Sequence, residues 1–228
     1  MHEEKHFDSP AMVKDIVIGM ADGLTVPFAL AAGLSGAVDS NTIVITAGIA
    51  EIIAGSIAMG LGGYLAGRTE ADHYDAELKR EYDEVEMVPE REKQEIREIL
   101  SEYGISATTQ AIVADELAMK KDKWVDFMMK FELGLERPHR NRERKSAFNI
   151  AASYVAGGFI PLSAYFITSH PEEGLPISAG ITLAALLIFG YFKARVTAQP
   201  AWKGAFSTAG IGALAAGAAF MIARMISE

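Results

Sequence analysis

A chain of 228 residues with a net charge of −9 and no cysteine offers no basic stripe for a nucleic-acid backbone, and neither a disulfide nor a thiolate metal site. Half of its residues are hydrophobic and 22% are charged, totals that an ordinary soluble domain shares, so the distribution decides the class. Charges are nearly absent from five stretches and crowd into one block, Arg68 to Lys145.

The opening residues M-H-E-E-K-H-F-D-S-P are polar and acidic. The first apolar run is too long for a signal-peptide core, so it is expected to stay in the mature protein. A hydrocarbon core about 30 Å thick takes on the order of 20 apolar residues of helix. Ile16–Val38 and Ile43–Ala66 come near that length. The charged block follows, and its only breakers are Pro89, Gly104, Gly134 and Pro138. From Arg68 to about Met87 no Gly or Pro intervenes, so the second span's helix is expected to continue outward. Pro89 suits the first turn of a second piece reaching about Tyr103, where Gly104 closes it. A third helical stretch is expected from Ala107 to Leu133, interrupted near Asp115–Asp122. Three more apolar runs, Ala147–Thr168, Leu175–Phe192 and Ala205–Ala223, contain no charged residue. A soluble protein of this length has no amphipathic shell in which to bury five such helices. The expected fold is all-α: a polytopic membrane protein with five transmembrane helices and a helical lobe between the second and third. Residues 1–67 would hold the first two spans, 68–145 the lobe and 146–228 the last three spans.

Fifteen of the 21 Lys and Arg residues lie between the second and third spans, and Lys193, Arg195 and Lys203 flank the fourth connection. The connections Gly36–Asn41 and Ser169–Gly174 have none. By the positive-inside rule, Arg68 with Arg140, Arg142, Arg144 and Lys145 place the lobe and the N-terminus in the cytosol. Arg224, near the far end of the fifth span, is the one contrary sign.

Two carboxylates enter the apolar runs, Asp22 in G-M-A-D-G-L-T-V-P-F and Glu51 in I-A-E-I-I-A-G-S-I-A-M-G. Each costs roughly 2.5–3.5 kcal/mol at the bilayer centre on insertion scales. Without a water-lined cavity such acids need a proton or a cation, and no Lys, Arg or His lies inside any span, so protons or metal cations are the partners expected. Gly23 and Pro27 are expected to weaken the first helix there, which is tolerated where backbone lines protein or a cavity. Glu51, Gly55 and Met59 fall on one helical face. Met59 offers a thioether, a ligand that favours transition metals, although most methionines in such a place only fill gaps. Gly60, Gly62, Gly63 and Gly67 allow close helix approach.

In the lobe, Glu81 with Glu84, Glu92 with Glu95, and Met128 with Glu132 stand at helical spacing, Met129 alongside. Each piece therefore presents a two-ligand edge. Converging, they would form an oxygen-rich pocket with thioether contributions, suited to Fe2+, Mn2+ or Zn2+. Solvated charged faces have the same composition, and spacing alone favours that blander reading. His73 and His139 read as surface residues.

These residues together resemble the vacuolar iron transporter (VIT, CCC1-like) family over about Lys14 to Ile226. The resemblance is carried by D-G-L-T-V-P-F-A-L-A-A-G-L at Asp22–Leu34, E-I-I-A-G-S-I-A-M-G-L-G-G-Y-L-A at Glu51–Ala66, E-A-D-H-Y at Glu70–Tyr74 and A-A-S-Y-V-A-G-G-F-I-P-L at Ala151–Leu162. It implies a homodimer of five-helix protomers with a pathway between the two first spans. It further implies that Asp22 and Met59 form the ion site in the membrane, that Glu51 serves proton coupling or transport, and that Asp15 lies at the cytosolic entrance. Glu81, Glu84, Glu92, Glu95, Met128 and Glu132 match the residues with which the family's cytosolic lobe collects metal. The expected function is a proton-coupled antiporter moving Fe2+, and also Mn2+, out of the cytosol. The destination is a vacuole in a eukaryote, or the outside across the inner membrane in a prokaryote. Zn2+ and Co2+ fit the same ligands. No prosthetic group and no enzymatic activity are expected, and a di-iron oxidase of the ferritin type is the least favoured reading. The rival class is a membrane-anchored metal sensor or buffer, for which the intramembrane acids would have no use.

Overall fold

The computed structural model describes residues 10–227, which form eight α-helices and one 3₁₀ turn, with no strand among them. In chain order these are α1 Pro10–Ser35, α2 Asn41–Met87, α3 Pro89–Glu102, α4 Ala107–Ala118, α5 Lys121–Phe131, α6 Arg142–Leu162, the 3₁₀ turn Ser163–Phe166, α7 Pro171–Val196 and α8 Ala201–Ser227. The chain divides into two compact units, Met1–Leu65 with Glu143–Glu228, and Ala66–Arg142.

Five helices of the described chain are long and apolar enough to cross a membrane: Ala11–Ser35, Asn41–Met87, Arg142–Phe166, Pro171–Val196 and Ala201–Ile222. Between 19% and 44% of each apolar window is buried inside the protein, so most of that surface faces outward. Along α2 the outward row is Ile53, Ile57, Leu61 and Leu65, and on α7 it includes Ile188 and Phe192. Apolar surface this continuous is not left in water by a soluble monomer; in hydrocarbon it meets its own kind. The protein is multi-pass, as the five apolar runs predict.

Inside the first unit, α6 approaches α1 and α2 closely. A Cβ added at Gly23 of α1 would meet the backbone of Tyr154, and one added at Gly157 of α6 would meet that of Gly23 and Leu24. Small residues at such crossings let backbones touch, the main source of helix association where lipid removes the hydrophobic drive. α1 runs unbroken through Gly23 and Pro27; Pro27 has no N–H to offer the Gly23 carbonyl, and Gly23 is also used for contact. The Thr25 hydroxyl donates back to the Ala21 carbonyl at 2.8 Å. Apolar clusters fix the remaining helices: Ala31, Val44, Ile52, Leu162, Ala164 and Tyr165 form one, and Leu24, Leu186 and Ala209 another.

At the α1–α2 turn the first unit is tied by neutral hydrogen bonds. Ser35 Oγ and Tyr165 Oη are 2.9 Å apart. The Asn41 amide donates to the Tyr165 carbonyl at 3.2 Å, the Thr168 carbonyl at 2.6 Å and Thr168 Oγ1 at 3.1 Å.

The second unit is built around the outer half of α2 with α3, α4 and α5. Pro89 opens α3 at a position where its missing N–H is no loss. Gly104, with φ +74°, ends it in the left-handed conformation that glycine adopts freely. Its core is Tyr74, Val85, Ile96, Ala114, Trp124, Val125, Met128 and Met129.

Candidate functional site

Three helical elements bring carboxylates together in the second unit. Glu81 lies on α2, Glu92 on the first turn of α3, and Glu132 caps the C-terminal end of α5. One oxygen of each lies within 4.8 Å of the others. Glu81 is 1% and Glu92 2% exposed, while Glu132 stands at the open rim. Oε2 of Glu81 and Oε2 of Glu92 are buried with no hydrogen-bond partner.

Burial raises the pKa of Glu81 to about 7, and the charges of Glu132, Glu84 and Glu95 add to it against Arg80. Burial likewise raises Glu92 to about 7, reinforced by Glu95, Glu81, Glu84 and Glu132. Glu132 is raised by burial and then by Glu95 and Glu84. Glu84 and Glu95 therefore share the same field. They differ in having guanidinium neighbours: Arg91 Nε donates to Glu95 at 3.1 Å, and Arg80 Nε lies 3.7 Å from Glu84. Met128 is fully buried in the apolar core beside the cluster's helices. His73, with its ring 59% exposed, lies 3.9 Å from Glu77 and outside the cluster.

A buried carboxylate without a partner is strongly disfavoured, and it resolves by taking a proton or a cation. Oxygens sharing one divalent ion through bonds of about 2.0–2.2 Å lie no more than about 4.4 Å apart. The donor set fits a divalent cation and offers nothing to an anion.

The membrane acids sit in different surroundings. Asp15 is 2% exposed, and its Oδ1 accepts a hydrogen bond from Ser146 Oγ at 3.0 Å. Asp22, Glu51 and Met59 are half-buried. Glu51 Oε1 accepts from the Tyr154 hydroxyl at 2.5 Å, whereas its Oε2 is buried without a partner. Tyr154 is 2% exposed. Its backbone lies against Gly23 and its ring against Gly55, and Asp22 is near enough to act electrostatically on the same phenol. Tyr154 thus touches the surroundings of both acids. A search for charge passes over it, although a tyrosine inside a span must find a partner for its hydroxyl, and that was the available signal.

A family model for the VIT family matches residues 13–224. The chain belongs to the VIT family. It is 53% identical over 227 residues to a protein named Vacuolar iron transporter 1 from Arabidopsis thaliana, covering 100% of this chain and 91% of that one. It is 52% identical over 227 residues to Vacuolar iron transporter 1 of Eucalyptus grandis, with 100% and 91% covered. Protein CCC1 of Saccharomyces cerevisiae is 38% identical over 230 residues, with 95% and 70% covered. The resemblance carried by the D-G-L-T and E-I-I-A-G-S motifs is therefore membership in the VIT family, and the family match includes both the spans and the carboxylate-bearing helices.

Proposed function

We propose that this protein carries Fe2+ across the vacuolar membrane, out of the cytosol and in exchange for protons, with Mn2+ as a second cargo. The observation that carries the reading is the cluster of Glu81, Glu92 and Glu132, whose buried oxygens lack partners, in a chain with five candidate spans. Relatives named vacuolar iron transporters support iron as cargo and the vacuole as destination.

In this reading residues 68–145 form a cytosolic lobe that captures the cation with Glu81, Glu84, Glu92, Glu95 and Glu132, and with Met128. Asp15 guides entry, which requires its contact with Ser146 to open. Asp22 and Met59 bind the ion within the membrane, and Glu51 exchanges protons with the opposite compartment. Two protomers pair along their first spans to enclose the path. Protonation then competes with metal for the carboxylates on the acidic side, so that the pH gradient drives release.

The test is Fe2+ uptake into reconstituted vesicles with an imposed pH gradient. Asp22→Ala and Glu51→Ala are expected to abolish gradient-driven flux while lobe binding persists. Parent-like flux in both variants would sink the mechanism. Fe2+ binding without flux in the parent protein would instead make the chain a membrane-anchored buffer.

A further inference from the structure

We propose that Tyr154 is the positioning residue of the membrane pathway: it fixes the Glu51 carboxylate by one oxygen, so that the other, bare and buried, is the single acceptor offered to a proton. The proposal rests on the reading of Glu51 given above and extends it to the residue that aims it.

An unrestrained glutamate at this depth could turn either oxygen to an ion, or both at once, and could rotate away from the path. The hydroxyl of Tyr154 donates to Oε1 at 2.5 Å and removes that freedom. Oε2 keeps no partner in its buried surroundings. The placement of the phenol depends on two absent side chains. Gly55 stands one turn beyond Glu51 on the same face of α2, and a Cβ there would strike the Tyr154 ring. Gly23 follows Asp22 directly, and a Cβ there would strike the Tyr154 backbone. Each acid-bearing helix is therefore pared down beside its acid to admit the same tyrosine. The phenol on α6 donates to Glu51, and Asp22 on α1 acts on the same phenol. A phenol ionises ordinarily near pH 10, so Tyr154 serves as a donor and Glu51 remains the group that exchanges.

Tyrosine-to-phenylalanine replacement keeps the ring and removes only the donor. In vesicles with a fixed pH gradient, Tyr154→Phe is expected to lower maximal Fe2+ flux roughly tenfold, the size of losing one hydrogen bond to a charged group. The half-saturating Fe2+ concentration should stay unchanged, because the ligands are elsewhere. Gly55→Ala, which displaces the ring from the other side, should give the same signature. Glu51→Gln should be slow by itself, and Tyr154→Phe added to it should cause no further loss. If Tyr154→Phe is as fast as the parent while Glu51→Gln is slow, the role of Tyr154 is overturned and that of Glu51 survives. If Glu51→Gln is as fast as the parent, the reading of Glu51 fails and this proposal falls with it. A Tyr154→Phe protein with a raised half-saturation and a lowered melting temperature assigns the tyrosine to packing, which also overturns the proposal.

Discussion

Replacing Glu92 by glutamine removes a negative charge from a place where several collect, and keeps the shape. With its pKa raised from 4.5 to about 7, the ionised form of Glu92 carries a penalty on the order of 3 kcal/mol in the folded state. Part of that is shared with Glu81 and Glu132, and water at the Glu132 rim screens another part, so about 1–2 kcal/mol is the expected gain in the metal-free protein at pH 8. For a unit of this size that is at least about 4 °C in melting temperature. The sign follows from linkage: a carboxyl raised by folding binds its proton more tightly in the folded state. Its contribution is fully present below about pH 4.5 and is lost as pH rises through about 7. The advantage of the glutamine variant should therefore be largest at pH 8 and vanish toward pH 4.5. Trp124, 4% exposed in the core of this unit, reports its melting directly once Trp202, the other of the two tryptophans, is changed to phenylalanine. Intrinsic fluorescence melts of the full chain in detergent with a chelator give the comparison. Fe2+ or Mn2+ added at pH 8 should raise the parent's melting temperature and raise the variant's much less. A variant that melts at or below the parent at pH 8, or a gap that persists unchanged at pH 4.5, would refute the argument.

Gly23→Ala puts a methyl group against the Tyr154 backbone, which cannot yield as a flexible side chain can, whereas Gly62 has nothing within 4 Å of the same position. Gly23→Ala should cost at least about 1–3 kcal/mol while Gly62→Ala is neutral or slightly stabilising; thermal melts of the purified pair decide it. Ser146→Ala leaves the buried Asp15 short of a hydrogen bond and should cost about 1–3 kcal/mol, visible as a lower melting temperature. Met59→Leu keeps volume and removes the thioether, so competition assays in vesicles should show Fe2+ losing ground to Mg2+ and Ca2+. Unchanged selectivity would return Met59 to packing.

The spans were legible because a bilayer imposes length and apolarity on one segment at a time. The lobe helices were legible for a related reason, since Pro89 and Gly104 act on the local backbone. Helical spacing paired Glu81 with Glu84, Glu92 with Glu95 and Met128 with Glu132, but spacing along one helix is silent about which helices meet. That Glu132, capping α5, would close on the other two depends on how three helices pack around Trp124 and Met128. Tyr154 was illegible for the same reason. Its partner Glu51 is 103 residues away along the chain, and nothing near either of them announces the other. The contact role of Gly23 was not legible because it is set by a helix far along the chain.

The ties among Ser35, Asn41, Tyr165 and Thr168 have a consequence for how this turn responds to pH. Every group in them is a hydroxyl, an amide or a backbone carbonyl, and none of these changes charge between pH 5 and 8. Acidity on one side of the membrane therefore has no direct handle on this fastening. Neutral hydrogen bonds of about 1 kcal/mol each hold the turn as firmly at acidic as at neutral pH. The α1–α2 turn is thus a pH-independent fixed point within the first unit.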